Sequence, residues 1–229
     1  MPEKFSLYEK EYELAELDPI EMTYLEQQLA LLFGTVDSVE RQLIMERKEW
    51  IIAAVRAVKQ AIPSHPTFRG IYAEDTELGF APIRPVHTKR GEGVGAIRGT
   101  WEHEVIAETW VDWLCSSTPN TGYLLDKRMG QIILGLKSFT TPVPYASEVQ
   151  FSIGRTKFLP VDFRSIRLGD NKNGVSIYPL PTMFVMPSTD ELFAELYADK
   201  TGTENLALLG LTIGLGAFLK NTTSVTWQT

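Results

Sequence analysis

The chain has 229 residues, of which 44% are apolar and 22% are charged, and its formal net charge is −7. This composition is ordinary for a folded soluble protein, and the length is enough to bury a large core without disulfides. The acidic excess excludes the broad positive surface of a general DNA- or RNA-binding protein, and no specific nucleic-acid site is predicted. Lys89-Arg90 precedes a glycine-rich run, and two such charges are more typical of a solvated loop than of a phosphate site.

The sequence shows no targeting or membrane segment. Residues 1–12 are charged and lack the apolar stretch of a signal peptide. The longest apolar run, Leu206 to Leu219, is interrupted by glycines and is shorter than the ~20 residues of a membrane span, so it predicts a buried strand. The single cysteine, Cys115, cannot form a disulfide within the chain. We therefore expect a protein made inside a cell that leaves it only as part of a particle, with no membrane contact predicted.

Residues 1–66 predict a helical N-terminal arm of two helices. In Asp18-Pro19-Ile20-Glu21, Asp18 caps a helix, Pro19 suits its first position, and Glu21 closes a capping box. Gly34 is a predicted C-terminal cap, and the second helix runs from about residue 35–38 to Pro63. Both helices carry apolar residues at helical spacing. These residues are Met22, Leu25, Leu29, Leu32 and Phe33 in the first helix, and Val39, Leu43, Trp50, Ile51, Ala54, Val55, Val58 and Ile62 in the second.

Residues 67–229 predict a separate domain of short strands. Turn signals rich in Gly, Pro, Asn and Asp separate short apolar runs, and no strand–helix alternation follows residue 66. The spacing of the runs predicts a mostly β fold, an antiparallel β-sandwich or barrel. The predicted strands are 69–73, 79–86, 101–114, 131–139, 148–153, 157–167, 175–185, 191–198 and 206–219.

No constellation of reactive residues predicts catalysis, a cofactor or a metal site. The three histidines, at positions 65, 87 and 103, lack the spacing of metal ligands. His103 with Glu108 faintly resembles the first motif of cupin metalloenzymes, but Val105 stands where that motif has its second histidine. A cupin-like enzyme is the third hypothesis, and it predicts a metal bound at His103 and Glu108.

The segment from Trp101 to Leu114 alternates apolar and acidic residues, which predicts one strand half exposed to water. Its acids, at positions 102, 104 and 108, are more typical of the wet side of a sheet than of a cation site. Trp110 falls on the same outward face, where a tryptophan beside carboxylates is able to stack on a sugar ring. The second hypothesis is therefore a β-sandwich module that binds a glycan or a partner protein.

The stretch Pro187 to Asp199, followed by Thr201 to Gly214, resembles the final hairpin of jelly-roll virion proteins. In that family a proline-led strand runs outward to a polar tip, and an apolar strand carrying a glycine returns to the core. The resemblance covers roughly residues 100–216. It implies a jelly-roll fold, a capsid or other virion structural role without enzymatic activity or cofactor, and assembly into trimers, pentamers or a shell. The mixed α/β shell fold of tailed viruses ranks below it, because the C-terminal half lacks long helices.

An amphipathic arm must bury its apolar stripe against its own sandwich or against a neighbouring subunit. At about 25 cal/mol per Å² of apolar surface, one helix face contributes several kcal/mol to either arrangement. The leading hypothesis is thus a capsid subunit, made in the host cytoplasm, that self-assembles with copies of itself and with other virion proteins. The residues predicted to contact neighbouring subunits are Leu25, Leu29, Leu32, Phe33, Leu43, Trp50, Ile51 and Trp110.

Overall fold

The protein is mostly β, with antiparallel sheets and a helical layer near its N-terminus. The computed structural model describes residues 3–7, 10–35, 38–83, 101–114, 123–125, 127–140, 144–166, 175–187, 191–217 and 219. Of residues 32–35, 38–40, 123, 124 and 166 it describes the backbone alone.

The N-terminal segment contains a β-hairpin and three helices. Strands β1 (Lys4–Leu7) and β2 (Lys10–Glu13) pair with each other, and helices α1 (Pro19–Thr35), α2 (Ser38–Glu46) and α3 (Lys48–Ala61) follow. The prediction of two helices is corrected in two respects: the hairpin precedes them, and the second helix breaks at Arg47.

The predicted capping box at the start of α1 is confirmed. The Asp18 carboxylate accepts hydrogen bonds from the backbone N–H of Ile20 and of Glu21, both at 2.8 Å. The Glu21 carboxylate in turn accepts one from the N–H of Asp18 at 3.0 Å. The predicted cap at Gly34 is wrong, because α1 continues through Gly34 to Thr35.

Two antiparallel sheets follow, and most of their strands lie where the sequence predicts them. The elements are the 3-10 turn Gly70–Tyr72, β3 (Leu78–Pro82), β4 (Trp101–Val105), β5 (Trp110–Leu114), β6 (Tyr123–Leu124), β7 (Met129–Ser138), β8 (Ala146–Ile153), β9 (Thr156–Lys157), β10 (Val161–Asp162), α4 (Phe163–Ile166), β11 (Ser176–Met186), β12 (Glu191–Ala198) and β13 (Gly202–Leu215). The five-stranded sheet has the order β11-β7-β13, with β3 and β4 both on the far edge of β13. The six-stranded sheet has the order β10-β8-β12-β5, with β6 beside β12 and β9 beside β8.

Three predicted strands are wrong in detail. Residues 69–73 contain the 3-10 turn, and the predicted strand 157–167 divides into β9, β10 and α4. The predicted strand 101–114 is two strands in different sheets, joined at a corner where Glu108 has a left-handed φ of 56°. The turn that connects β12 to β13 supports this corner, because Ala198 O accepts from the Glu108 N–H at 2.8 Å and Thr201 Oγ1 accepts from the Ala107 N–H at 3.0 Å.

The five-stranded sheet is covered on both faces. Its inner face and the inner face of the six-stranded sheet contribute to one buried cluster, so the two sheets pack against each other. Its outer face and the apolar sides of the helices contribute to a second cluster. Strand β7 is therefore almost continuously buried: Ile133 and Leu136 belong to the first cluster, and Ile132 and Leu134 belong to the second.

A buried ion pair joins two helices of the helical layer, and its carboxylate also binds the chain that leads into the sheets. The Lys59 Nζ in α3 lies 2.6 Å from the Glu21 Oε1 in α1, and their side chains are 8% and 5% exposed. The same Glu21 oxygen accepts from the backbone N–H of Phe68 at 2.7 Å, just before β3. One carboxylate thus connects α1, α3 and the approach to the five-stranded sheet.

Candidate assembly surface

The helical layer covers only one of the two sheets, which leaves the outward side of the six-stranded sheet accessible among the described residues. Strand β12 shows this arrangement most clearly, since its residues alternate between partly exposed and buried along its whole length. We call this surface the outer sheet face. It consists of Trp110, Asp112, Glu148, Gln150, Ser152, Lys157, Asp162, Glu191, Phe193, Glu195 and Tyr197.

Aromatic side chains form one end of the outer sheet face. Trp110 is 37% exposed and lies opposite Tyr197 in the pairing of β5 with β12. Their ring centroids are 5.5 Å apart with the rings tilted by 49°, and Phe193 is partly exposed on the same strand. Tryptophan and tyrosine are enriched where proteins contact partners, because they bury a large apolar area at a small entropic cost.

Five carboxylates lie on the same face, and two cross-strand pairs among them have like charges. Asp112 lies opposite Glu195, and Asp162 lies opposite Glu148. A base accompanies each pair: Lys157 Nζ lies 3.1 Å from Glu195, and Arg164 Nε lies 3.0 Å from Asp162.

The contact between Asp162 and Arg164 changes the acidity of both groups. A side-chain hydrogen bond from the Arg164 guanidinium lowers the pKa of Asp162, and the same bond raises the pKa of Arg164. Arg164 also lies 3.4 Å from Asp199 at the end of β12. Arg164 therefore favours the ionised form of the Asp162 carboxylate.

A second exposed feature lies at the break between α2 and α3. The Arg47 guanidinium donates to Leu180 O at 2.6 Å and to Leu134 O at 3.4 Å, where the pairing of β11 with β7 shifts register. Beside it is a groove of about 190 Å³ that Trp50, 48% exposed, lines together with Met183. The Trp50 ring meets Phe5 of β1 edge to face at 6.1 Å.

The structure divides the residues predicted to contact neighbouring subunits into three groups. Leu25, Leu29, Leu43 and Ile51 lie in the buried cluster between the helices and the five-stranded sheet, so contacts inside the chain occupy them. The exposed residues of the set are Trp50 in the groove and Trp110 on the outer sheet face. The side chains of Leu32 and Phe33 lie outside the described residues.

The residues considered for metal binding and acid chemistry are dispersed. His103 is partly buried on β4, whereas Glu108 lies in the corner between the sheets. Glu102 and Glu104 remain on β4, so the three acids predicted on one strand face do not share a strand. Within the described ranges no group of three metal-ligating side chains is present. His87 and Cys115 lie outside those ranges.

One buried acid was not anticipated from the sequence. Glu204 in β13 is fully buried and accepts four hydrogen bonds, from the Ser138 and Thr140 hydroxyls at 2.8 and 2.6 Å and from the Tyr145 and Ala146 N–H groups at 2.7 and 2.9 Å. These donors flank the connection from β7 to β8, which Glu204 thereby fixes to β13. The only sequence signal is an acid next to a long apolar strand.

Comparison with models of known protein families, with curated proteins and with solved structures found no match to this chain. Among the helices in the described part of the chain, none has the length and apolarity to cross a membrane.

Proposed function

We propose that this chain is a structural subunit of a virion shell, folded as a jelly roll, which assembles with copies of itself. The observation that carries the proposal is the nested pairing of eight strands. In chain order these are β4, β5, β7, β8, β10, β11, β12 and β13. The first strand, β4, pairs with the last, β13, and the second, β5, pairs with the seventh, β12. The third, β7, pairs with the sixth, β11, and the fourth, β8, pairs with the fifth, β10.

Nested pairing is the pattern of one long hairpin rolled around its own axis. Rolling brings the first-and-last pair beside the third-and-sixth pair, and here β13 pairs with β7. It also brings the second-and-seventh pair beside the fourth-and-fifth pair, and here β12 pairs with β8. Eight strands linked in this order would form the two four-stranded sheets of a jelly roll, an arrangement that many capsid and lectin domains share, and this agreement supports the proposal.

The difference between the outward sides of the two sheets supports assembly of this chain over a role as a monomer. The N-terminal helices fill the outward side of one sheet, whereas the outer sheet face keeps Trp110, Phe193 and Tyr197 partly exposed. A mixed α/β shell subunit has less support, because the described residues between 101 and 215 contain one four-residue helix, α4, and otherwise strands and loops.

Sedimentation velocity of the full chain at rising concentration tests the proposal. We expect a discrete oligomer or particle at micromolar concentration. Trp110→Ser should weaken it, because this removes an aromatic contact from the open sheet. Tyr72→Ser is the matched control, since Tyr72 is 66% exposed but lies on the 3-10 turn beside the helical layer. A chain that remains monomeric at every concentration would refute the proposal.

The tilted pair of Trp110 and Tyr197 favours one second candidate, a glycan-binding module. Adjacent aromatic rings beside carboxylates and Gln150 resemble the surfaces on which sugar rings stack. Titration with a panel of oligosaccharides, followed by tryptophan fluorescence, separates the two functions. A glycan module predicts saturable binding that Trp110→Ser abolishes while the protein stays monomeric.

A further inference from the structure

The outer sheet face has a net negative charge even when its own bases are counted. Five carboxylates share it with Lys157, and Arg164 approaches from α4. Like charges directly opposite each other on neighbouring strands destabilise a sheet. The pairs Asp112 with Glu195 and Glu148 with Asp162 both have this arrangement. Lys157 and Arg164 each accompany one pair, but two bases against five carboxylates leave a net charge of −3, which a basic partner on this face would complement.

The chain contains a basic segment with the complementary charge. Residues 84–100 hold four basic residues, Arg84, Lys89, Arg90 and Arg98, and one acid, Glu92. Their net charge of +3 contrasts with −7 for the whole chain. Positive charge is thus concentrated in a segment of 17 residues, while five of the 29 acidic residues lie together on one sheet face.

The described residues on either side fix where this segment leaves the sheet and returns. The Ile83 N–H donates to Gly210 O at 3.3 Å, and Trp101 pairs with Leu206, so both ends lie on one edge of β13. Four strand residues separate these positions, a distance of about 13 Å, whereas 17 extended residues span roughly 56 Å. Residues 84–100 therefore join two strands on one edge of β13, and their number exceeds what that separation requires.

We propose that the basic segment 84–100 of one copy docks on the outer sheet face of a second copy. This inference rests on the proposed self-assembly and names the contact that drives it. To reach Glu148 on its own chain, the segment must pass around the sheet edge and across two strands, a path of about 25 Å. Arg90 lies seven residues beyond Ile83, or about 23 Å of extended chain, which is shorter than this path. Docking within one copy would therefore require full extension of the chain and the reach of the Arg90 side chain as well.

Charge reversal tests the contact, with assembly measured by sedimentation velocity and fold stability by urea unfolding. Glu148→Lys places a cation opposite Asp162, so it should leave the fold as stable as the wild type or more stable. It should nevertheless raise the concentration for half-assembly by about tenfold. The double change Lys89→Glu with Arg90→Glu should raise it by a similar factor. Combining all three changes should restore assembly to within about threefold of the wild type, because the charges are complementary again.

Glu16→Lys is the control, since it makes the same charge change at an exposed position near the helices and should leave assembly unaffected. If the wild type assembles and neither reversal weakens it, the inference is wrong while the proposed function stands. If only Glu148→Lys weakens assembly, the occupant is another part of the second copy, and the assignment to residues 84–100 is wrong. If the charge reversals change the urea unfolding of the monomer but leave assembly unchanged, the segment docks within one copy. That result also overturns the inference. A wild type that never assembles overturns both proposals.

Discussion

Removing Lys59 tests whether the helical layer is part of the folded unit. In Lys59→Met the apolar stem of the side chain is kept, but the cation 2.6 Å from Glu21 is lost. Glu21 is only 4% exposed, so its charge is left in the interior without a cation. Two backbone N–H donors, of Asp18 and Phe68, still contact it and offset part of the loss.

Breaking a buried pair by removing one partner costs about 3–5 kcal/mol, a large part of the roughly 5–15 kcal/mol that stabilises a typical domain. For a chain of this length the melting temperature should fall by about 10 °C. Urea unfolding should show the loss as a lower midpoint with an unchanged slope. Adding Glu21→Gln to Lys59→Met should recover part of the stability, because no uncompensated charge then remains in the interior.

The matched control is Lys48→Met, which removes an exposed pair with Glu26 at 3.4 Å. Exposed ion pairs contribute about 0–1 kcal/mol, so this variant should unfold near the wild-type midpoint. If Lys59→Met unfolds at the same urea concentration as Lys48→Met, the reasoning about the buried pair is refuted.

Three further predictions concern the sheets. Glu204→Ala leaves four donors without their acceptor, so urea unfolding should show a loss of about 3–5 kcal/mol, and a loss below about 1 kcal/mol would contradict the role of this acid. Gly210→Ala places a Cβ in steric overlap with Ile132 O, so it should destabilise the protein more than Gly154→Ala. Gly154 has a left-handed φ of 57° but open space around it, so its replacement should cost about 1–2 kcal/mol. The reverse order would contradict the packing of β13 against β7. Arg164→Ala should raise the pKa of Asp162 towards its ordinary value in a carboxyl-carbon NMR titration. Because that pKa is lowered in the folded protein, the contact between Arg164 and Asp162 stabilises the fold at pH values above the unfolded-state pKa of Asp162. This stabilisation is lost as pH falls through the folded-state pKa. An unshifted titration in the variant would show that Arg164 does not act on this carboxyl.

The sequence was sufficient to predict the elements that depend on contacts between neighbouring residues. The capping box at Asp18 formed as predicted, and the predicted strand 191–198 has the same bounds as β12. Each of these depends on neighbours within a few residues, which a sequence displays directly.

Distant contacts determined the features that the sequence did not indicate. The break at Arg47 has neither glycine nor proline, and its guanidinium bonds to Leu180 O and Leu134 O more than eighty residues away. The corner at Glu108 is likewise supported by residues of the turn from β12 to β13. Tertiary contacts of this kind override local preference.

The candidate surface was only half predictable for the same reason. Alternation around Trp110 indicated an outward aromatic and outward acids, but the segment turned out to belong to two sheets. The placement of Asp112 opposite Glu195 depends on strand pairing, which one sequence does not display. The apolar stripe of the arm was recognised correctly, whereas its burial against the chain's own sheet, as at Leu25 and Ile51, required the structure.

Negative-stain electron microscopy of the purified chain, at concentrations bracketing the transition seen by sedimentation, tests the central claim most directly. Self-assembly through the open sheet predicts closed particles or rings of uniform size, with Trp110→Ser giving fewer of them than Tyr72→Ser. Fields that contain only single 25.8 kDa chains at the highest concentration would contradict it.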